Sequence, residues 1–123
     1  MRRTKRSYCG RSEGITDSPY LRPLAVLVDG RSGSGGDVFP ATIQSLGRGL
    51  IIGTPTAGKT LSGDDAKLPG GYVLFFPHAE IVRIDGKRME ANPLQPDVLL
   101  SAEQTVNDDY LGQLLRKTFE RSP

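Results

Sequence analysis

The chain has 123 residues, 37% hydrophobic and 24% charged, a balance that suits one small folded domain and leaves no room for a multidomain enzyme. Sixteen Lys and Arg against fourteen Asp and Glu give a net charge of +2, too small to name nucleic acid or an anionic surface as partner. No apolar run approaches the roughly 20 residues that span a bilayer.

Residues 1–20 carry Arg2, Arg3, Lys5, Arg6 and Arg11 among Ser, Thr and Gly, with little apolar surface to bury, and are expected to form a flexible basic arm. Polar SYCGRSEG follows the basic MRRTKR start where an export signal needs an apolar stretch, so no signal peptide is expected and the compartment stays open. The single Cys9 can form no intrachain disulfide and no Cys-rich metal site, and reads as an incidental thiol. Leu24 to Val28, a short β-branched run stopped by Asp29-Gly30, predicts a buried strand ending in a turn. After the small-residue loop RSGSGGD, the segment VFPATIQSLG predicts a helix with Val38, Ile43 and Leu46 on one face and Gly47 as its stop.

Leu50 to Ile52 predicts a second buried strand. GTPTAGKTLSGDDAKLPGG then reads as a long loop or hairpin region with no helix. Tyr72 to Phe76 and Ile81 to Ile84 read as paired strands, with Asp85-Gly86 as a further turn. Asn107 or Asp108 is placed to cap a last helix whose Leu111, Leu114, Leu115 and Phe119 form an apolar stripe. The fold class is α/β.

Two chemistries compete for one lysine. Gly53 to Thr60 spells GTPTAGKT, which satisfies the phosphate-cradling pattern GxxxxGK[ST] after an apolar strand. That motif needs a helix starting at the Lys-Thr pair, whose N–H groups and positive dipole end hold the phosphates. LSGDDAKLPGG follows instead, so nucleotide binding is kept as the alternative.

The other reading takes Lys59 as a catalytic base. Ser32-Gly33-Ser34-Gly35-Gly36-Asp37 lies between a strand and a helix, where a serine on a tight turn stands exposed beside helix-start N–H groups. A serine hydroxyl becomes a nucleophile only when a neighbouring base takes its proton. His78, the one histidine, reads as a surface or turn residue. Lys59, among small uncharged residues after a buried strand, is the better candidate. Ser32 is expected to hydrogen-bond within its turn, Asp37 to face the helix dipole, and Asp64-Asp65 and Asp97 to sit in solvated turns or caps.

At these residues the chain resembles the tail-specific, or C-terminal processing, serine peptidases of the S41 family, from about Leu24 to Leu100. LAVLVDG leading into Ser32-Gly33-Ser34-Gly35-Gly36-Asp37 is similar to the family's strand and Ser-Ala-Ser-Ala-Ser-Glu type turn, whose middle serine attacks. Gly53, Thr56, Gly58 and Lys59 match its Gly-x-x-Thr-x-Gly-Lys turn, with the lysine 25 residues after Ser34. Leu68 to Tyr72 resembles its Leu-x-Asp-Gly hairpin, and Asp85 to Arg88 followed by Pro96-Asp97-Val98 resembles its closing segment. Gly63 stands where the family often has a glutamine, and Pro93 where it commonly has a glycine.

The resemblance implies a crotonase-like or Clp-protease-like spiral core, here its C-terminal half, because the family's upstream Asp-x-Arg-x-Asn-x-Gly-Gly type segment is not in the chain. It implies endopeptide hydrolysis through an acyl-enzyme, with Ser34 as nucleophile, Lys59 as general base, the Gly35 N–H as one oxyanion donor, and no metal or cofactor. Residues 21–100 then form a partial protease core and 101–123 a C-terminal extension with an amphipathic helix. The implied partner is a polypeptide, with no nucleic acid and no membrane span, and with a missing N-terminal half or self-association completing the domain. Exported relatives suggest the cell envelope or periplasm. The non-enzymatic alternative is an inactive protease-derived interaction module.

Overall fold

The computed structural model of the chain describes residue 14 and residues 18–120. The expected arm, with Arg2 to Arg11 and Cys9, lies almost wholly outside them.

β-branched and leucine residues build two short parallel strands, β1 (Ala25–Val28) and β2 (Leu50–Gly53), with Val26 opposite Ile51 and Val28 opposite Gly53. A third strand, β5 (Val98–Leu99), pairs with β2, giving the order β1-β2-β5. The crossover from β1 to β2 is α1 (Gly35–Ser45), as parallel pairing requires. Successive strand residues face opposite sides, and β2 uses both. Ile51 joins Val28, Ala41, Met89 and Leu94 in one core, whereas Ile52 joins Leu100 and Leu111 in the other. Both isoleucines are fully buried.

The second core is closed by α2 (Ala102–Thr105) and α3 (Asp108–Phe119). Asn107 caps α3 by accepting the Tyr110 N–H, and Leu111, Leu114 and Leu115 pack toward the sheet as the apolar stripe predicts. The short α2 carries a Ser101–Gln104 capping box that the sequence reading passed over.

Three expectations need correction. The first helix starts at Gly35, before Val38, and runs through the buried Pro40, which removes one backbone bond near its start. Val38 and Ile43 face the core, but Leu46 is the C-cap residue and stands 63% exposed.

The antiparallel pair joins β3 (Leu61–Lys67) to β4 (Val73–Glu80), across a 3-10 turn at Pro69–Gly71. The segment read as a possible hairpin is thus its first arm. Ile81 to Ile84 is not a strand paired with β4; it holds one bridge, Val82 to Arg88, around the predicted Asp85-Gly86 turn. Length explains the error: β4 runs on through Glu80 and consumes the residues assigned to a turn. Among the described residues no helix is long and apolar enough to cross a membrane.

Candidate active site

Strand β1 ends at Val28, and the chain must reverse before α1. Asp29 organises that reversal: its carboxylate accepts the Arg31 N–H at 2.9 Å, the Ser32 N–H at 3.1 Å and the Arg31 guanidinium at 3.1 Å. These bonds favour the anion, and the Arg31 backbone N–H foremost holds the Asp29 carboxyl below its ordinary range. Ser32 hydrogen-bonds within this turn as expected, its hydroxyl donating to Asp29 Oδ1 and accepting the Asp29 N–H.

Ser34 follows at the N-cap position of α1 with φ 55° and ψ −117°, a conformation that a residue with a Cβ adopts only under strain. Its carbonyl accepts the Asp37 and Val38 N–H groups, but its hydroxyl makes no capping bond. An exposed serine at an N-cap ordinarily spends its oxygen on the helix. Here that oxygen is left over. The Gly35 N–H, first of the helix, has no acceptor among the described residues.

The lysine turn is pinned from four directions. Thr56 is buried and exchanges two bonds with Leu94, its hydroxyl accepting the Leu94 N–H at 2.8 Å. The Ala57 N–H donates to Ser32 O at 2.9 Å, and the Ser34 N–H donates to Lys59 O at 2.8 Å. The Gly58 carbonyl accepts the N–H of Ala91, itself at φ 57°. Gly58 has φ +64°, and a Cβ there would lie 2.8 Å from Pro93 N, so conformation and space both require glycine.

Two carboxylates take the next four amides. Asp37, 1% exposed, accepts Gly58 N–H at 3.0 Å and Lys59 N–H at 3.1 Å. Glu90 accepts Thr60 N–H at 2.6 Å and Leu61 N–H at 3.0 Å. Sequence reasoning favoured a dipole role for Asp37 over a catalytic one and passed over Glu90. Neither contact has a local signature, because the partners lie 21 to 30 residues apart.

The structure therefore brings the Ser34 and Lys59 backbones together at one turn, with both side chains exposed, and no hydrogen bond joins Ser34 Oγ to Lys59 Nζ among the described contacts. Beyond Thr60 the chain enters β3, so the helix that a phosphate-cradling loop needs is replaced by a strand, and the nucleotide reading loses its physical basis. Gly63 lies at an irregularity of the β3–β4 register, and a Cβ there would lie 2.4 Å from Phe76 O. No side chain fits at 63.

His78 is exposed on β4 and hydrogen-bonds Asp64 of β3 at 2.8 Å, so Asp64 belongs to a strand instead of a turn. Asp97 also does more than shape a turn: it accepts the Ile51 N–H and the Gln44 amide, both at 2.8 Å, tying β2 to α1.

The profile of peptidase family S41 matches residues 1–100. A photosystem II D1 C-terminal processing protease is similar at 30% identity over 64% of this chain, with a TM-score of 0.58. Mature CPAF is similar at 26% identity over 80% of the chain, with a TM-score of 0.66. The tricorn protease shares the fold at 24% identity over 80% of the chain, with a TM-score of 0.70. The chain spans 20%, 20% and 11% of the lengths of those proteins. Because the family match covers all but the last 23 of its 123 residues, the chain belongs to peptidase family S41.

Proposed function

We propose that this chain carries the serine and lysine of a serine-type endopeptidase, acting on polypeptides through a covalent acyl-enzyme. The reading rests above all on one observation: Ser34 stands strained and uncapped between β1 and α1, with its own N–H bonded to the carbonyl of Lys59 at 2.8 Å. Membership of a peptidase family and the likeness to a C-terminal processing protease support the same chemistry. The fold in this reading is the later part of a crotonase-like or Clp-protease-like spiral. Residues 21–100 form its core, and the helical segment beyond covers the second face of the sheet.

In this reading the Lys59 amine, as the free base, takes the proton of Ser34 as its Oγ attacks the scissile carbonyl carbon. The carbonyl π bond opens to an oxyanion, which the Gly35 N–H stabilises. The C–N bond then breaks, and the ammonium of Lys59 returns its proton to the departing amine. Water, deprotonated by the same amine, attacks the Ser34 ester; the bond from the acyl carbon to Oγ breaks, the acid is released, and the Lys59 ammonium returns the proton to Ser34 Oγ. The nucleophile, the base and the oxyanion donor in these steps all belong to the chain.

The reading predicts that the full chain cleaves dye-labelled casein, and that Ser34→Ala and Lys59→Ala each lower turnover by about a hundredfold or more. Cleavage persisting undiminished in Ser34→Ala would exclude the serine as nucleophile.

A further inference from the structure

Among the described residues, the mechanism above leaves one buried ionisable group unused. Asp37 is 1% exposed and makes no ion pair with a lysine or arginine among the described residues. A carboxylate at that depth is costly unless its lone pairs are satisfied, and an apolar residue would serve packing better. What satisfies it is specific: the N–H groups of Gly58 and Lys59, and the N-terminal end of α1, of which Asp37 is the third residue.

The consequence concerns the lysine peptide. Lys59 donates its N–H to Asp37 and accepts the Ser34 N–H at its carbonyl, so both sides of its backbone are gripped by one turn of the chain. Asp37 and Ser34 are three residues apart at the start of α1, and the Asp37 N–H itself donates to Ser34 O at 3.0 Å. Glu90 holds the following amides from a different segment. Asp37 is therefore the side chain that links the lysine turn to the helix carrying the serine.

We propose that Asp37 is a positioning residue, whose buried carboxylate fixes the Lys59 backbone against the Ser34 turn and so presents the lysine amine to the serine hydroxyl. The proposal rests on the Ser34–Lys59 reading. Asp37→Asn keeps the size of the side chain but exchanges one acceptor oxygen for an NH2 group facing a backbone N–H, so one of the two bonds is lost.

The test uses the full chain as wild type, Asp37→Asn, Lys59→Ala and the double variant, with dye-labelled casein as substrate and amide hydrogen exchange followed by NMR. The expected result is a fall in kcat of at least about tenfold in Asp37→Asn with KM within about twofold, and no further fall when the change is added to Lys59→Ala. A purely structural role would instead cost the same on both backgrounds. Exchange at Gly58 and Lys59 is expected to accelerate at least about tenfold in Asp37→Asn.

An unchanged kcat, an equal loss on the Lys59→Ala background, or unaltered exchange at those two amides would overturn the proposal. Should the wild type show no Ser34-dependent turnover, the dyad reading fails, while the exchange measurement still decides whether Asp37 grips the lysine turn. Should Asp37→Asn not fold, exchange in the wild type decides: protected Gly58 and Lys59 amides support the grip, and rapidly exchanging ones overturn it.

Discussion

Ser34 holds a conformation that glycine adopts freely and serine does not. Strain of this kind costs about 1–3 kcal/mol, whereas the extra unfolded-state freedom of a glycine costs about 0.5–1 kcal/mol, so relief of strain wins. Ser34→Gly is therefore expected to raise stability by up to about 1 kcal/mol, or roughly 4 °C in Tm, while abolishing turnover. Thermal denaturation followed by circular dichroism measures the first effect, and a lowered Tm would show that the turn needs its serine for folding.

The place of this residue on a turn between strand and helix was legible in the sequence, because a small-residue loop after a β-branched run is a local pattern. The roles of Asp37 and Glu90 were not. Each acts by accepting backbone N–H groups brought near only when α1 and the segment around Glu90 fold over the lysine turn.

Among the elements, β2 carries the most because it is buried on both faces, and α3 covers one of them through Leu111, which is 6% exposed. Truncating a leucine at such a site removes its transfer free energy and leaves a cavity. Leu111→Ala is expected to destabilise the chain by about 2–4 kcal/mol, read as a lower midpoint in urea denaturation. A change under about 0.5 kcal/mol would mean that α3 is not part of the folded unit.

The apolar stripe of α3 was visible at the 3.6-residue period, and so was its cap. The pairing partner of β4 was not, since VLFFPHAE and the polar LSGDDAK share no hydrophobic alternation that would set their register. Every residue of β4 is exposed, so burial imposed no pattern on the sequence there.

At the scale of the molecule, two apolar clusters on opposite faces of a three-stranded parallel sheet make a rigid base, and the serine and lysine turns rise from the carboxyl ends of β1 and β2. Chemistry at the carboxyl ends of parallel strands is the general arrangement of α/β sheets, where loops positioned by a packed scaffold carry the reacting groups. The β3–β4 hairpin leaves this base directly after Lys59. A two-stranded sheet is marginal alone, and the Glu90 carboxylate on the Thr60 and Leu61 amides anchors it at its root.

In the proposed reading the Lys59 amine activates the Ser34 hydroxyl. That activation is tested most directly by reaction of the full chain with a fluorophosphonate, with the adduct located by mass spectrometry and its rate of formation compared between wild type and Lys59→Ala. A single adduct on Ser34 is expected, formed at least about a hundredfold more slowly without the lysine. An adduct on another residue, or equal rates in the two proteins, would contradict the reading.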